Sequence, residues 1–523
     1  MSWKDKLAEW WEGKQSGLEE RSESEQRGKV KPTKRTKREN KGTGPQRAKT
    51  QTPSGRQSSR QQPATDASTH TALNILAFQD EHRTQLSGNT ERSPRQQLII
   101  GLDFGTNFSK VVLGETRIHY TVPMQDRTDG VEKYTVPVRL VVDETGCCRV
   151  GDAEQSEQAF DDLKIQFLRG NTSFENQTRM VAYLALILRH CRGWLFTEKS
   201  EIYRNTALEW FINIGLPTSS ALSSELQQIY HAVTLAAWRL SGRFGEITIE
   251  KAEDALTLPE PIEIIERDVD TWAPLVPDAI RAFPEFSAQV SSYVQSPRKS
   301  TDLHALIDIG GGTIDVTLFN VVVDQEEEAH RYPILARNVV PLGTRFLIEE
   351  RLRMLSPDSL VVFSPHEPVP SNEDMISTLG VTFADLAKAD QDFKNRVQSA
   401  WSEEFRYTKT MRYGESRAWQ DGLPVFVSGG GAACEFYQEA LVDLFPPKYP
   451  WATRMEQLPV PEDLEAPGID NENFGRLAVA YGLSFDADDI GEIIRPEEIE
   501  DLRQVSDVGK RYRDSHSVTK DVT

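Results

Sequence analysis

Hydrophobic residues are unevenly spread along the chain, and their spacing sorts it into segments of different kinds. Near the N-terminus Trp3, Leu7, Trp10 and Trp11 fall at i, i+4, i+7 and i+8, which predicts a short helix with one apolar face. From about Arg21 to Arg60 large apolar side chains almost vanish in favour of Lys, Arg, Gln, Ser and Thr, so no core can form and disorder is expected. Order begins near Gln96. Residues 98–104 are a short apolar run closed by Gly105, and 110–114 resume a strand pattern, which predicts strand, tight turn, strand with Asp103 at the turn. Thr178–Arg189 and Ser223–Leu240 read as helices, and Trp210–Leu216 as a buried strand ended by Pro217. That alternation predicts an α/β fold.

The opening design returns in residues 303–319, where Leu-His-Ala-Leu-Ile-Asp-Ile runs into three glycines, Thr313 and a strand, Ile314–Phe319. Aligning Asp103 with Asp308 and Gly105 with Gly310 superposes two strand-turn-strand units about two hundred residues apart. The repeat implies two similar domains facing one cleft, with divisions at 1–95, 96–300, 301–485 and 486–523. The second half continues through a helix-rich insert, roughly Arg345–Arg412, and a strand, Pro424–Val427, that leads into Gly429, Gly430 and Gly431. A final helix is expected over about Asn473–Gly482, and a loosely ordered tail after Asp486.

Charge changes the picture locally. Over 523 residues, 80 Asp and Glu outweigh 60 Lys and Arg, a net charge of −20 that opposes non-specific binding of nucleic acid by the body of the protein. Residues 21–60 invert that balance, with about thirteen basic against three acidic side chains. The run Lys29–Lys49 could contact nucleic acid or anionic lipid, or serve only as a solvated tether. The Trp face ahead of it suits a protein partner or a membrane surface, and its polar side mixes both charges. The cysteines, Cys147, Cys148, Cys191 and Cys434, have neither metal-ligand spacing nor disulfide density, which points to a reducing compartment and sets zinc aside. The first twenty residues lack the apolar core of a secretory signal, and the longest apolar stretch, Val181–Leu188, is far short of the roughly 20 residues that span a bilayer. A cytoplasmic location is expected.

A carboxylate at the end of a buried strand, followed by a glycine turn and a hydroxyl residue, fits metal-phosphate chemistry. Glycines let backbone N–H groups approach phosphate oxygens, while the carboxylate faces a hydrated magnesium ion. One such turn reads equally as an aspartate capping its own turn. Two facing copies, Asp103 with Gly105, Thr106 and Asn107, and Asp308 with Gly310, Gly311, Gly312 and Thr313, would flank a triphosphate from both sides. The third turn, Gly429–Gly431, could pass under a ribose and base.

These residues carry a family resemblance over about 97–485. Ile99-Ile100-Gly101-Leu102-Asp103-Phe104-Gly105-Thr106-Asn107-Phe108-Ser109 resembles the first phosphate motif of the superfamily of actin, sugar kinases and the 70-kDa heat-shock chaperones. Ile307-Asp308-Ile309-Gly310-Gly311-Gly312-Thr313-Ile314-Asp315-Val316 resembles the second, in the form found in the nucleotide-binding domain of the DnaK-type chaperones. Val425–Gly431 resembles the adenosine motif, and Pro284-Glu285 and Val479-Ala480-Tyr481-Gly482 resemble the two hinge segments. The resemblance implies two ribonuclease-H-like, actin-type domains flanking a nucleotide cleft, with ATP or ADP and Mg2+ as cofactors and slow hydrolysis of the phosphoanhydride. Asp103 and Asp308 would hold the magnesium, and Thr106 and Thr313 would contact phosphates. Lys164 would orient the attacking water, and Glu285 would order water near the metal. Gly343 would approach the phosphates, with Lys394 and Arg396 near the adenine. Asn107 replaces a usual hydroxyl residue, and Gly431 a common serine. The residues after Asp486 are too few for the chaperones' peptide-binding sandwich and lid. Three uses follow: a nucleotide-dependent switch for a protein partner, an actin-like filament or scaffold ATPase, and a sugar-kinase-type phosphotransferase.

Overall fold

The computed structural model describes residues 95–499 except 126–129, 162, 169, 204–205, 218–222, 244, 259–274, 324–329, 357–362, 364–368 and 445–452. The Trp face and the basic run lie outside the described residues.

The first sheet is built from β1 (Arg95–Phe104), β2 (Phe108–Gly114), β3 (His119–Thr121), β8 (Ala207–Leu216) and β9 (Leu275–Pro284) in the order β3-β2-β1-β8-β9. The second uses β10 (Leu303–Ile309), β11 (Ile314–Asn320), β13 (His330–Val340), β14 (Leu423–Ser428) and β15 (Thr453–Glu456) in the order β13-β11-β10-β14-β15. Each begins with an antiparallel hairpin whose first strand also pairs in parallel with the fourth. The sequence repeat is therefore a repeat of topology. Its central strands are buried on both faces, which is why they read as unbroken apolar runs. Between β3 and β8 lie β4 (Val136–Pro137), which pairs with β2, and a small sheet of β5 (Leu140–Val142), β6 (Cys148–Val150) and β7 (Gln158–Phe160).

Helices cover the sheets. In the first half these are α1 (Leu163–Leu168), α2 (Phe174–Glu198), α3 (Ser224–Ser241) and α4 (Ile249–Thr257). Ser173, Ser223 and Thr248 cap the last three by accepting a backbone N–H with their hydroxyls. No helix among the described residues is long and apolar enough to cross a membrane. In the second half α6 (Thr344–Leu355), α7 (Asn372–Leu379), α8 (Phe383–Tyr407) and α9 (Glu435–Leu444) pack around the sheet, and capping boxes at Ser371 and Thr382 start α7 and α8.

Two helices, α5 (Glu285–Val294) and α10 (Ala478–Leu483), cross where Gly482 lies against Ala288, too close for any Cβ at Gly482. The end of α10 rests on the first sheet. Asn213 Nδ2 donates to the carbonyls of Leu483 and Phe485, both at 2.9 Å, and His119 Nδ1 meets Ser484 Oγ at 2.6 Å.

Three features differ from the sequence expectation. The helix expected over about Asn473–Gly482 is broken into Asn471–Phe474 and α10, and the Gly475 carbonyl between them accepts from Ser428 Oγ at 2.9 Å. Residues just after Asp486 are ordered, because β17 (Glu492–Ile494) extends the second sheet beside β13 and Ile490 is fully buried. The first sheet also takes an edge strand, β16 (Leu464–Glu465), from late in the chain, where it pairs with β3.

One buried histidine sets an acid limit. His304 is stacked on Phe319, its Nε2 lies 2.9 Å from Tyr293 Oη, and burial pushes its pKa from 6.5 down to about 4. The unfolded chain then binds the proton first, so this stability is complete above about pH 6.5 and is lost as pH falls toward 4. Urea unfolding at pH 7 and pH 4.5 should show His304→Gln losing up to about 3 kcal/mol less than wild type on acidification. Equal losses would exclude His304 as the source.

Candidate functional site

The two hairpins place the two aspartates at matching points, and their pairing differs in charge. Asp103 sits opposite Lys110 in the β1–β2 register, and Lys110 Nζ donates to Asp103 Oδ2 at 2.8 Å. Asp308 sits opposite Asp315 in the β10–β11 register, and Asp315 is held instead by Arg337 on β13, Nη2 to Oδ2 2.9 Å. Lys110 was not picked out by motif. Its signal was the seven-residue offset from the turn aspartate, which selects the facing residue of the hairpin in both copies.

The structure brings the two turns together. Asn107 lies over Gly311 so closely that a Cβ there would overlap its side-chain amide, and a Cβ at Gly312 would stand 3.9 Å from Thr106 Cγ2. Asn107 thus falls at the contact between the turns. Within the second turn, Gly310 N–H donates to the Thr313 carbonyl at 2.8 Å. In the first, Gly105 packs against the Phe108 carbonyl.

The third glycine turn meets the same point. Ser428 is the parallel partner of Asp308, and Gly429 follows with φ 89°, a backbone that favours glycine. A Cβ at Gly429 would overlap Asp308 Oδ1. Gly431 is pressed against Ile309 and Thr344, so glycine in place of serine serves packing there, while the space about Gly430 is open. Gly343 lies on the second turn. Its N–H and those of Thr344 and Arg345 donate to the carbonyls of Gly312, Gly310 and Gly311 at 3.3, 3.1 and 2.9 Å, so the start of α6 braces this turn with its own amides.

Lys164, on α1, is buried rather than on an exposed helix face, at 3% exposure. Its Nζ donates to the Phe104 carbonyl and to Glu285 Oε1, each at 2.5 Å, which joins α1, the first turn and the start of α5. Lys394 and Arg396 lie on α8, Lys394 paired with Asp443 at 2.7 Å and Arg396 with Asp392 at 3.4 Å. All four cysteines are free thiols.

Asp308 is half-buried and has no ion-pair partner among the described residues. Burial, then the charges of Asp315 and Glu285, push its carboxyl up to about 7 against the opposing pull of a Gln289 hydrogen bond and of Lys110. Such surroundings suit a cation. No group of three or more His, Cys, Asp or Glu side chains among the described residues is placed to hold a metal ion.

No family profile and no curated protein matches this sequence. Among solved structures the chain is similar to MreB5 of Spiroplasma citri bound to AMPPNP, at 12% identity and TM-score 0.40 over 74% of this chain and 95% of that one. It is also similar to MreB5 of Spiroplasma citri bound to ADP, at 10% identity and TM-score 0.39 over 73% and 94%. The apo ParM protein of psk41 aligns at 11% identity and TM-score 0.37 over 75% and 97%. The duplicated sheet order, not these scores, defines the fold.

Proposed function

We propose that this chain binds a magnesium-complexed adenine nucleotide between its two hairpin turns and slowly hydrolyses it. The observation that carries the reading is the convergence of three glycine turns on two strand-end aspartates, with Asn107 against Gly311 and Gly429 against Asp308. Glycines at those contacts leave backbone, not side chains, facing the space a polyphosphate would fill. Magnesium, when bound, would neutralise phosphate charge. Lys110 and Lys164 bring cationic groups to the first turn, and Lys164 is oriented by Glu285 to hold a water or a phosphoryl oxygen.

Between a chaperone-type switch and an actin-like assembling ATPase, we favour assembly. The described sheets all belong to the duplicated core or to the small sheet beside it, and a peptide-holding sandwich is not among them. The second sheet ends in β15, a four-residue edge whose Met455 is 47% exposed, and Val442 nearby in sequence is 68% exposed. An edge strand that carries an exposed apolar side chain is a template for another copy of the chain.

Two experiments test these readings. In single-turnover assays Asp308→Ala should lose magnesium-dependent hydrolysis, and Lys164→Ala should retain nucleotide binding while hydrolysing about 10²–10³-fold more slowly. Lys164→Ala also leaves Glu285 without its partner, a loss of about 3 kcal/mol, so binding is measured below its lowered unfolding midpoint. Failure of the wild type to bind any adenine nucleotide would sink the proposal. For assembly, sedimentation should rise with protein concentration in Mg-AMPPNP and fall in ADP. A flat response in both nucleotides favours the monomeric switch.

A further inference from the structure

Both hairpin turns have their backbones tied down. In the first, Phe104 pairs with Ser109 across the hairpin, Phe108 pairs with Pro137 of β4, and the Asn107 carbonyl accepts the Val138 N–H at 2.8 Å. In the second, the carbonyls of Gly310, Gly311 and Gly312 are all taken by the amides at the start of α6. Each turn is thus fixed to its own sheet, and side chains are what remains adjustable between them.

Asn107 crosses from the first turn to the second. A Cβ built on Gly311 would stand 2.2 Å from Asn107 Nδ2, 2.7 Å from Cγ and 2.9 Å from Oδ1, so all three amide atoms lie against the side of the glycine that lacks a side chain. The neighbouring Thr106 keeps farther off, with its Cγ2 3.9 Å from the equivalent point at Gly312. Asparagine is not required here by the backbone, because Asp278 alone among the described non-glycine residues has a positive φ. What the side chain supplies is an amide, a donor and an acceptor laid on the peptide backbone that a phosphate oxygen would approach. The face of one glycine holds one such group at a time.

We propose that Asn107 gates nucleotide entry: its amide covers Gly311 from the opposite turn and must rotate off that backbone before a polyphosphate engages the second turn. The inference rests on the nucleotide reading above. Rotation of one side chain is fast beside ligand encounter, so the covered fraction subtracts directly from the apparent association rate. Dissociation is independent of the gate, since the amide is already displaced when nucleotide is bound.

The test follows binding of a fluorescent ATP analogue with magnesium to the full chain by stopped flow, in the wild type and Asn107→Ala. Alanine keeps the Cβ and removes the amide. Association should quicken about fivefold, with the dissociation rate held within about twofold. An unchanged or slower association rate overturns the proposal. So does dissociation more than about twofold faster, which marks Asn107 as a ligand of the bound nucleotide. A second arm needs no nucleotide. Gly311→Ala should lower the urea midpoint of unfolding, because its Cβ meets the amide, and should lower it less in the Asn107→Ala background. Equal losses in both backgrounds place the amide away from Gly311 and are fatal even where ATP binds. Absence of ATP binding by both the wild type and Asn107→Ala, with the Gly311 coupling present, defeats the nucleotide reading itself and this inference with it.

Discussion

Four carboxylates converge on one region of this protein, and the arrangement depends on how their mutual repulsion is compensated. Asp103, Asp315 and Glu285 are each matched by a cation, Lys110, Arg337 and Lys164, drawn from three different elements. Asp308 is not, and burial, followed by the charges of Asp315 and Glu285, raises its pKa. Opposite charges offset the desolvation of three groups, while the fourth is left without an ion-pair partner among the described residues.

Backbone closeness makes the convergence geometrically possible. At Gly311, Gly429 and Gly482 a single Cβ would collide with Asn107, Asp308 or Ala288, so the turns and the two crossing helices approach to distances that other residues forbid. The same device serves different ends. At the turns it lets the side chains of Asn107 and Asp308 lie directly on the backbone of Gly311 and Gly429, and at the helix crossing it lets α5 and α10 pack backbone to backbone. Because α5 also carries Glu285, which accepts from Lys164, and Gln289, which donates to Ser428, the helix crossing is joined through side chains to α1 and β14.

Much of this was legible along the chain. The strand-turn-strand repeat, the apolar strands and the glycine turns are local patterns, and local patterns survive translation into structure because period and turn chemistry are set by neighbouring residues. Lys110 was harder to see, since its meaning comes from cross-strand register. Gln289 was harder still. A single glutamine among the serines of α5 carries no motif, and its partner Ser428 comes from a strand distant in sequence.

The sequence by itself determined the duplication, the position of both aspartates at strand ends, and the three glycine turns, because each follows from residue type and spacing within a short window. Only the tertiary structure decided which charges meet. It buried Lys164 instead of exposing it, turned Gly343 and Gly431 to bracing and packing, and broke the last helix at Gly475. These outcomes depend on contacts between segments far apart in the chain. Burial, electrostatic compensation and close approach are properties of such pairs, and no single stretch of sequence contains both partners.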